Sequence, residues 1–249
     1  NISYNDGGGV YIYNSDPIFD NVTINDNGIP GLWSNRDGGG IYAFASNPIM
    51  KDVTISNNYC GSEGGGMYLS YSDAIIEEVT ISHNQALSGG GGIYIRNSSP
   101  TLTDVTISNN ITDTVGIYGI GHDGGGMYIR NSNPSITHST ISGNIARGNG
   151  GGIYIDESSP IMQFVEISSN MADTTDGIGP DGGGGMYIKN SNIELDHVDI
   201  INNAASGGGG IYLYGDIWLE TFPYANLSNV NISNNLATEY GGGVYSQQY

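Results

Sequence analysis

Apolar and polar residues alternate along this chain in short bursts, and the bursts return at a nearly fixed interval. The stretch "GGGIYIRNSSPTLTDVTISNN", residues 90–110, contains three of them: "GIYI", "PTLT" and "VTIS". Period two belongs to a strand whose successive side chains point to opposite faces, and not to a helix. Aligning the Tyr that follows each Gly run gives Tyr11, Tyr42, Tyr68, Tyr94, Tyr128, Tyr154, Tyr187, Tyr212 and Tyr245. The base unit is 25 to 26 residues, and longer units carry insertions. Three of these follow the "NN" corner or its equivalent, in "GIPGLWSNRD", "ITDTVGIYGIGHD" and "MADTTDGIGPDG", while a fourth is "DIWLETFPYA".

A unit with three short strands buries its apolar side only by stacking on its copies. The fold expected is all-β: a single-stranded, right-handed parallel β-helix, a solenoid of eight to nine coils with rungs about 4.8 Å apart. Residues 1–249 are expected to form one domain, read as a piece of a longer chain because "NISYND" looks like the tail of a repeat. The residue before each Tyr, together with the Val and Ile of "VTI", should point inward. The last Asn of each "SNN", at Asn5, Asn27, Asn58, Asn84, Asn110, Asn144, Asn170, Asn203 and Asn235, should form an inward ladder of amides. Ser15, Ser46, Ser72, Ser98, Ser132, Ser158 and Ser191 should do the same at another corner, with Gly runs and Pro shaping the turns.

At this point the chain resembles the Gly-Gly-x-Ile and Phe-x-x-Asn repeats of bacterial polymorphic outer-membrane proteins and related β-helix surface proteins. "GGGIY" matches the first half, whereas "ISNN" puts Ile where the family has Phe. The resemblance implies a secreted or surface-displayed module, stalk-like or adhesive, and it carries over no catalytic residue.

Charge narrows the partners. With 25 acidic and 6 basic side chains the formal charge is −19, which repels a nucleic-acid backbone or an anionic membrane surface. Cys60 is the one cysteine, so no intrachain disulfide forms, and it is placed in a loop. No apolar run is long enough to insert into a bilayer as a helix. An extracellular glycan or a host or cell-surface protein remains as partner, at an extracellular or bacterial-surface location. Open end coils also invite end-to-end self-association.

Four outward columns could carry chemistry. Parity turns the Tyr outward, and Tyr94, Tyr128, Tyr154 and Tyr187 would form an aromatic stripe for sugar rings, or merely stabilise one another along the sheet. Two residues on, the column reads Tyr13, Phe44, Ser70, Arg96, Arg130, Asp156, Lys189 and Tyr214. In pectate-lyase-like β-helix enzymes an Arg or Lys on such a face acts as base beside calcium-holding carboxylates; that resemblance of fold would make Arg96, Arg130, Lys189 and Asp156 a lyase-like set. Arg96 and Arg130 would equally bind an anionic glycan, or the column is a neutralised charge ladder. Asp37, Asp123, Asp173, Asp176 and Asp181, in or near Gly-rich loops, offer oxygen ligands of the kind calcium takes, or form a plain acidic corner. Thr23, Thr54, Thr80, Thr106 and Thr140, beside a row of Ser, suggest an ice-ordering face, although β propensity alone explains them. The four His, including His122, have no metal spacing and read as surface residues. The leading reading is a non-enzymatic stalk or adhesin module that requires no cofactor, and the alternative is a module that binds or cleaves acidic polysaccharide.

Overall fold

The residues after each Gly run form one strand per coil in the computed structural model, which describes residues 1–30, 36–112, 122–173, 182–216 and 223–248. These strands are Val10–Tyr13, Ile41–Phe44, Met67–Ser70, Ile93–Arg96, Met127–Arg130, Ile153–Asp156, Met186–Lys189, Ile211–Gly215 and Val244–Gln248. They pair parallel and in chain order as a nine-stranded first sheet. Every Tyr lies beside the Tyr of the next coil, because a slip of one residue would turn each apolar side chain to the wrong face. The middle segments and "VTIS" build a second sheet of 12 strands, and the short segments after "NN" a third of eight. One turn of chain through the three sheets is one coil, and no helix occurs among the described residues.

All three sheets face one core. Ile41, Met67, Ile93, Met127, Ile153, Met186 and Ile211 are fully buried, as are Ile55, Ile81, Ile107, Ile141, Ile167 and Ile200 of the second sheet. Apolar side chains repeat at rung spacing, so each inward column packs on itself as a continuous apolar ladder.

Polar ladders tie the corners. The Asn84 side-chain amide donates to Asn110 Oδ1 at 3.0 Å and to the Ile55 carbonyl at 3.0 Å, and its backbone N–H donates to the same Oδ1 at 2.9 Å. This arrangement repeats from Asn58 to Asn203. The expected first rung is corrected: Asn5 is exposed, and Asn1 donates to Asn27 Oδ1 at 2.8 Å. Asn1 leads because Ile2 bridges Gly28, which sets the first residues one rung below residues 27–29. At the opposite corner the N–H of Ser46, Ser72, Ser98 and Ser132 each donates to the next Ser Oγ.

The bends at the Gly runs are as expected, whereas those at the other corners are not. Each Gly run supplies one left-handed residue, such as Gly90 at φ +60°, but the other corners use non-Gly residues. Asn14, Ala45, Tyr71, Asn97, Asn131, Glu157 and Asn190 have φ of 47° to 50°, and Asp52, Glu78, His138, Phe164 and His197 form a second such column. Asn tolerates this region; Tyr71 and Phe164 do so at a cost of about 1–2 kcal/mol each, offset by the ladders on either side.

Candidate functional site

The first sheet's outer face gathers most of the residues singled out by sequence. Its Tyr rings do point away from the main core, but they are not the exposed stripe that parity suggested. Tyr94, Tyr154 and Tyr187 are 2%, 5% and 8% exposed, and Tyr128 is half-buried. Neighbouring rings lie 4.6–5.3 Å apart from Tyr11 to Tyr212, tilted by 2° to 31°. Each ring face is therefore spent on the next ring, and no face of Tyr94, Tyr128, Tyr154 or Tyr187 is open to a sugar. The residues just before the Gly run also lie across the rings: a Cβ on Gly89 would stand 3.0 Å from the Tyr128 ring. Register could be read from sequence; this second layer over the sheet could not.

The charged column is brought together as its spacing implied. Arg96 pairs with Arg130, Arg130 with Asp156, and Asp156 with Lys189, on successive strands. Arg130 Nε and Lys189 Nζ each lie 3.7 Å from a different oxygen of Asp156, whose side chain is 7% exposed. Burial still raises the Asp156 carboxyl above the usual carboxylate range, against the opposing pull of Lys189 and Arg130. Arg96 turns back one coil to the Tyr68 hydroxyl, and Arg130 likewise to Tyr94. The Tyr94 hydroxyl also meets Glu63, whose carboxyl is pushed up to about 7, mainly by burial and then by the charge of Asp37. Glu63 belongs to the acidic column that the sequence places before the Gly runs, with Asp6, Asp37 and Asp123.

The proposed calcium ligands do not converge. Asp37 Oδ1 accepts the Glu63 N–H one coil on, at 3.2 Å, and Asp123 Oδ1 accepts the Asn149 N–H at 2.7 Å. Both are rungs of a carboxylate-to-backbone ladder, separated by the coils of Glu63 and Gly89. Burial raises both carboxyls, that of Asp123 to about 6. Asp173 instead pairs with Arg147. Asp176 and Asp181 lie outside the described residues. Among the described residues no three His, Cys, Asp or Glu come close enough to hold a metal ion.

Two further placements are corrected. His122 is buried, with Nδ1 2.8 Å from the Leu87 carbonyl and no partner for Nε2 among the described residues, while His83, His138 and His197 sit exposed at corners. Cys60 is not in a loop: it lies in the third-sheet strand Tyr59–Cys60, fully buried between Ile29 and Ala86, and burial pushes its thiol up to about 12. The Thr column pairs in register from Thr23 to Thr140 and then turns acidic at Glu166 and Asp199.

Coil, register and ladders together match a known sequence family. The model for the right handed beta helix region matches residues 1–133. The chain belongs to this family. The Chlamydia polymorphic membrane protein repeat matches this β-helix protein at residues 138–156 and 229–247, each spanning a "GGGIY"-like strand or an "ISNN" corner with the strand that follows. The coil is thus right-handed, and the protein is a β-helix of the polymorphic-membrane-protein-like repeat type, which fits a module of a surface or secreted protein. Comparison with curated proteins and with solved structures returned no match.

Proposed function

We propose that this β-helix is a non-catalytic spacer, a stiff stalk-like segment of a surface or secreted protein. The observation that carries the reading is continuity. The first sheet keeps one register from Val10 to Gln248, and the Asn ladder runs from Asn1 to Asn235 without a missing rung. Coils bonded this way resist bending and shear, because any relative movement breaks three sheets and two polar ladders together. Catalysis would need a group released from the repeat, whereas Arg130 and Lys189 are both held by Asp156. Nine strands at about 4.8 Å give a rod roughly 43 Å long.

Deleting residues 85–110 removes one coil and joins Asn84 to Ile111, which occupies the place of Gln85. A spacer survives this: X-ray scattering should report a folded rod shorter by about 4.8 Å. Loss of folding, or an unchanged length, would overturn the proposal.

A further inference from the structure

The charged column does not begin with Arg96. Two and three coils earlier the same outward edge carries Phe44 and Tyr13, stacked at 5.8 Å, and the Tyr71 ring meets Phe44 edge-on at 5.6 Å. Tyr71 is 59% exposed, so here aromatic surface remains open, unlike Tyr94, Tyr154 and Tyr187 of the ring stack. Between Phe44 and Arg96 the column holds only Ser70, and Arg96 leans back over that coil toward Tyr68. An exposed guanidinium is thereby set beside an aromatic cluster.

Arg96 is also the unbalanced charge of the column. Arg130 and Lys189 share Asp156, but no described carboxylate lies within ion-pair distance of Arg96. Its register partner is Arg130, so two guanidinium groups stand one rung apart, with Asp156 paired to Arg130 on the far side and the buried Glu63 acting on both charges without an ion pair to either. Forked donors at that spacing suit a carboxylate, which accepts two charge-assisted hydrogen bonds at once. Tyr71 and Phe44 suit the apolar face of a sugar ring.

We infer that Tyr71, Phe44, Arg96 and Arg130 form a binding site for a carboxylated sugar, its ring against the aromatic pair and its carboxylate between the two guanidinium groups. The site goes beyond the spacer reading and involves no catalysis. The formal charge of −19 restricts the ligand to short or sparsely charged glycans, because a dense polyanion meets repulsion from the rest of the surface, while one carboxylate is screened beyond about 8 Å.

The test is calorimetric titration of the whole chain with uronate- and sialate-bearing di- to tetrasaccharides, and with the same sugars after carboxyl reduction. Arg96→Gln should weaken binding of the acidic sugars about tenfold or more, the loss of one charged hydrogen-bond donor. Tyr71→Asn separates site from scaffold. Asn occupies the same left-handed corner at Asn14, Asn97, Asn131 and Asn190, so this variant should melt no lower than the parent while binding several-fold more weakly. Lys51→Gln, on the second sheet, should bind as the parent does. Equal binding of reduced and acidic sugars, parent-like binding by both site variants, or no binding of any acidic sugar at millimolar concentration would each overturn the assignment.

Discussion

Replacing Asn110 with Ala tests whether the corner amides hold the coils together or merely fill space. Asn110 is fully buried and takes part in four side-chain hydrogen bonds. Its Oδ1 accepts the Asn84 N–H at 2.9 Å and the Asn84 amide at 3.0 Å; its own amide donates to the Ile81 carbonyl at 2.9 Å and to Asn144 Oδ1 at 3.0 Å. Asn144 Oδ1 keeps a donor in the variant, the Asn110 N–H, but two donors of Asn84 are stranded in a dry corner. At about 1–3 kcal/mol for each stranded group, Asn110→Ala should cost about 2–6 kcal/mol. Asn1→Ala removes one bond at an exposed end where water replaces it, and should cost under about 1 kcal/mol. Asn110→Asp keeps the shape and the acceptor but sets oxygen against oxygen at Asn144 and Ile81, so it should be at least as damaging as Ala. Urea unfolding of the three variants decides the matter. An Asn110→Ala cost within about 1 kcal/mol of Asn1→Ala, or a parent-like Asn110→Asp, would refute the ladder argument.

Acidification should stabilise the fold. The Glu63 and Asp123 carboxyls are raised to about 7 and about 6, so as pH falls from about 8 to about 5 the folded chain takes up protons that the unfolded chain does not, and urea midpoints should rise across that window. Glu63→Gln should flatten the upper part of the rise. Gly92→Ala sets a Cβ 2.6 Å from the Gly126 carbonyl oxygen of the next coil and should cost about 2–3 kcal/mol. Gly28→Ala meets nothing nearer than 3.8 Å and should be neutral or gain about 0.5 kcal/mol in the same assay. Cys60, buried and with its thiol raised to about 12, should resist iodoacetamide in the folded chain and react only on unfolding, which mass spectrometry would follow.

Sequence by itself determined the coil. Period two, a 25-to-26-residue repeat and one Asn per unit leave a single way to bury the apolar face, and inward columns and ladders follow from parity alone. The pairing of Arg130, Asp156 and Lys189 was legible for the same reason, since equal positions in successive units must be neighbours. Parity tells only which side of a sheet a side chain leaves; it cannot tell what lies above that side. Hence the Tyr column, rightly placed outward, proved closed by its own stacking and by the chain before the Gly runs. His122 and Cys60 were misjudged because their burial depends on contacts between coils that no spacing within one unit records. The left-handed corners at Tyr71 and Phe164 were equally hidden: a side chain with poor intrinsic preference for that conformation is held there by the rungs above and below. Tertiary structure therefore decided which outward residues remain available, and it moved the open aromatic surface from the Tyr stripe to Tyr71 and Phe44, beside Arg96.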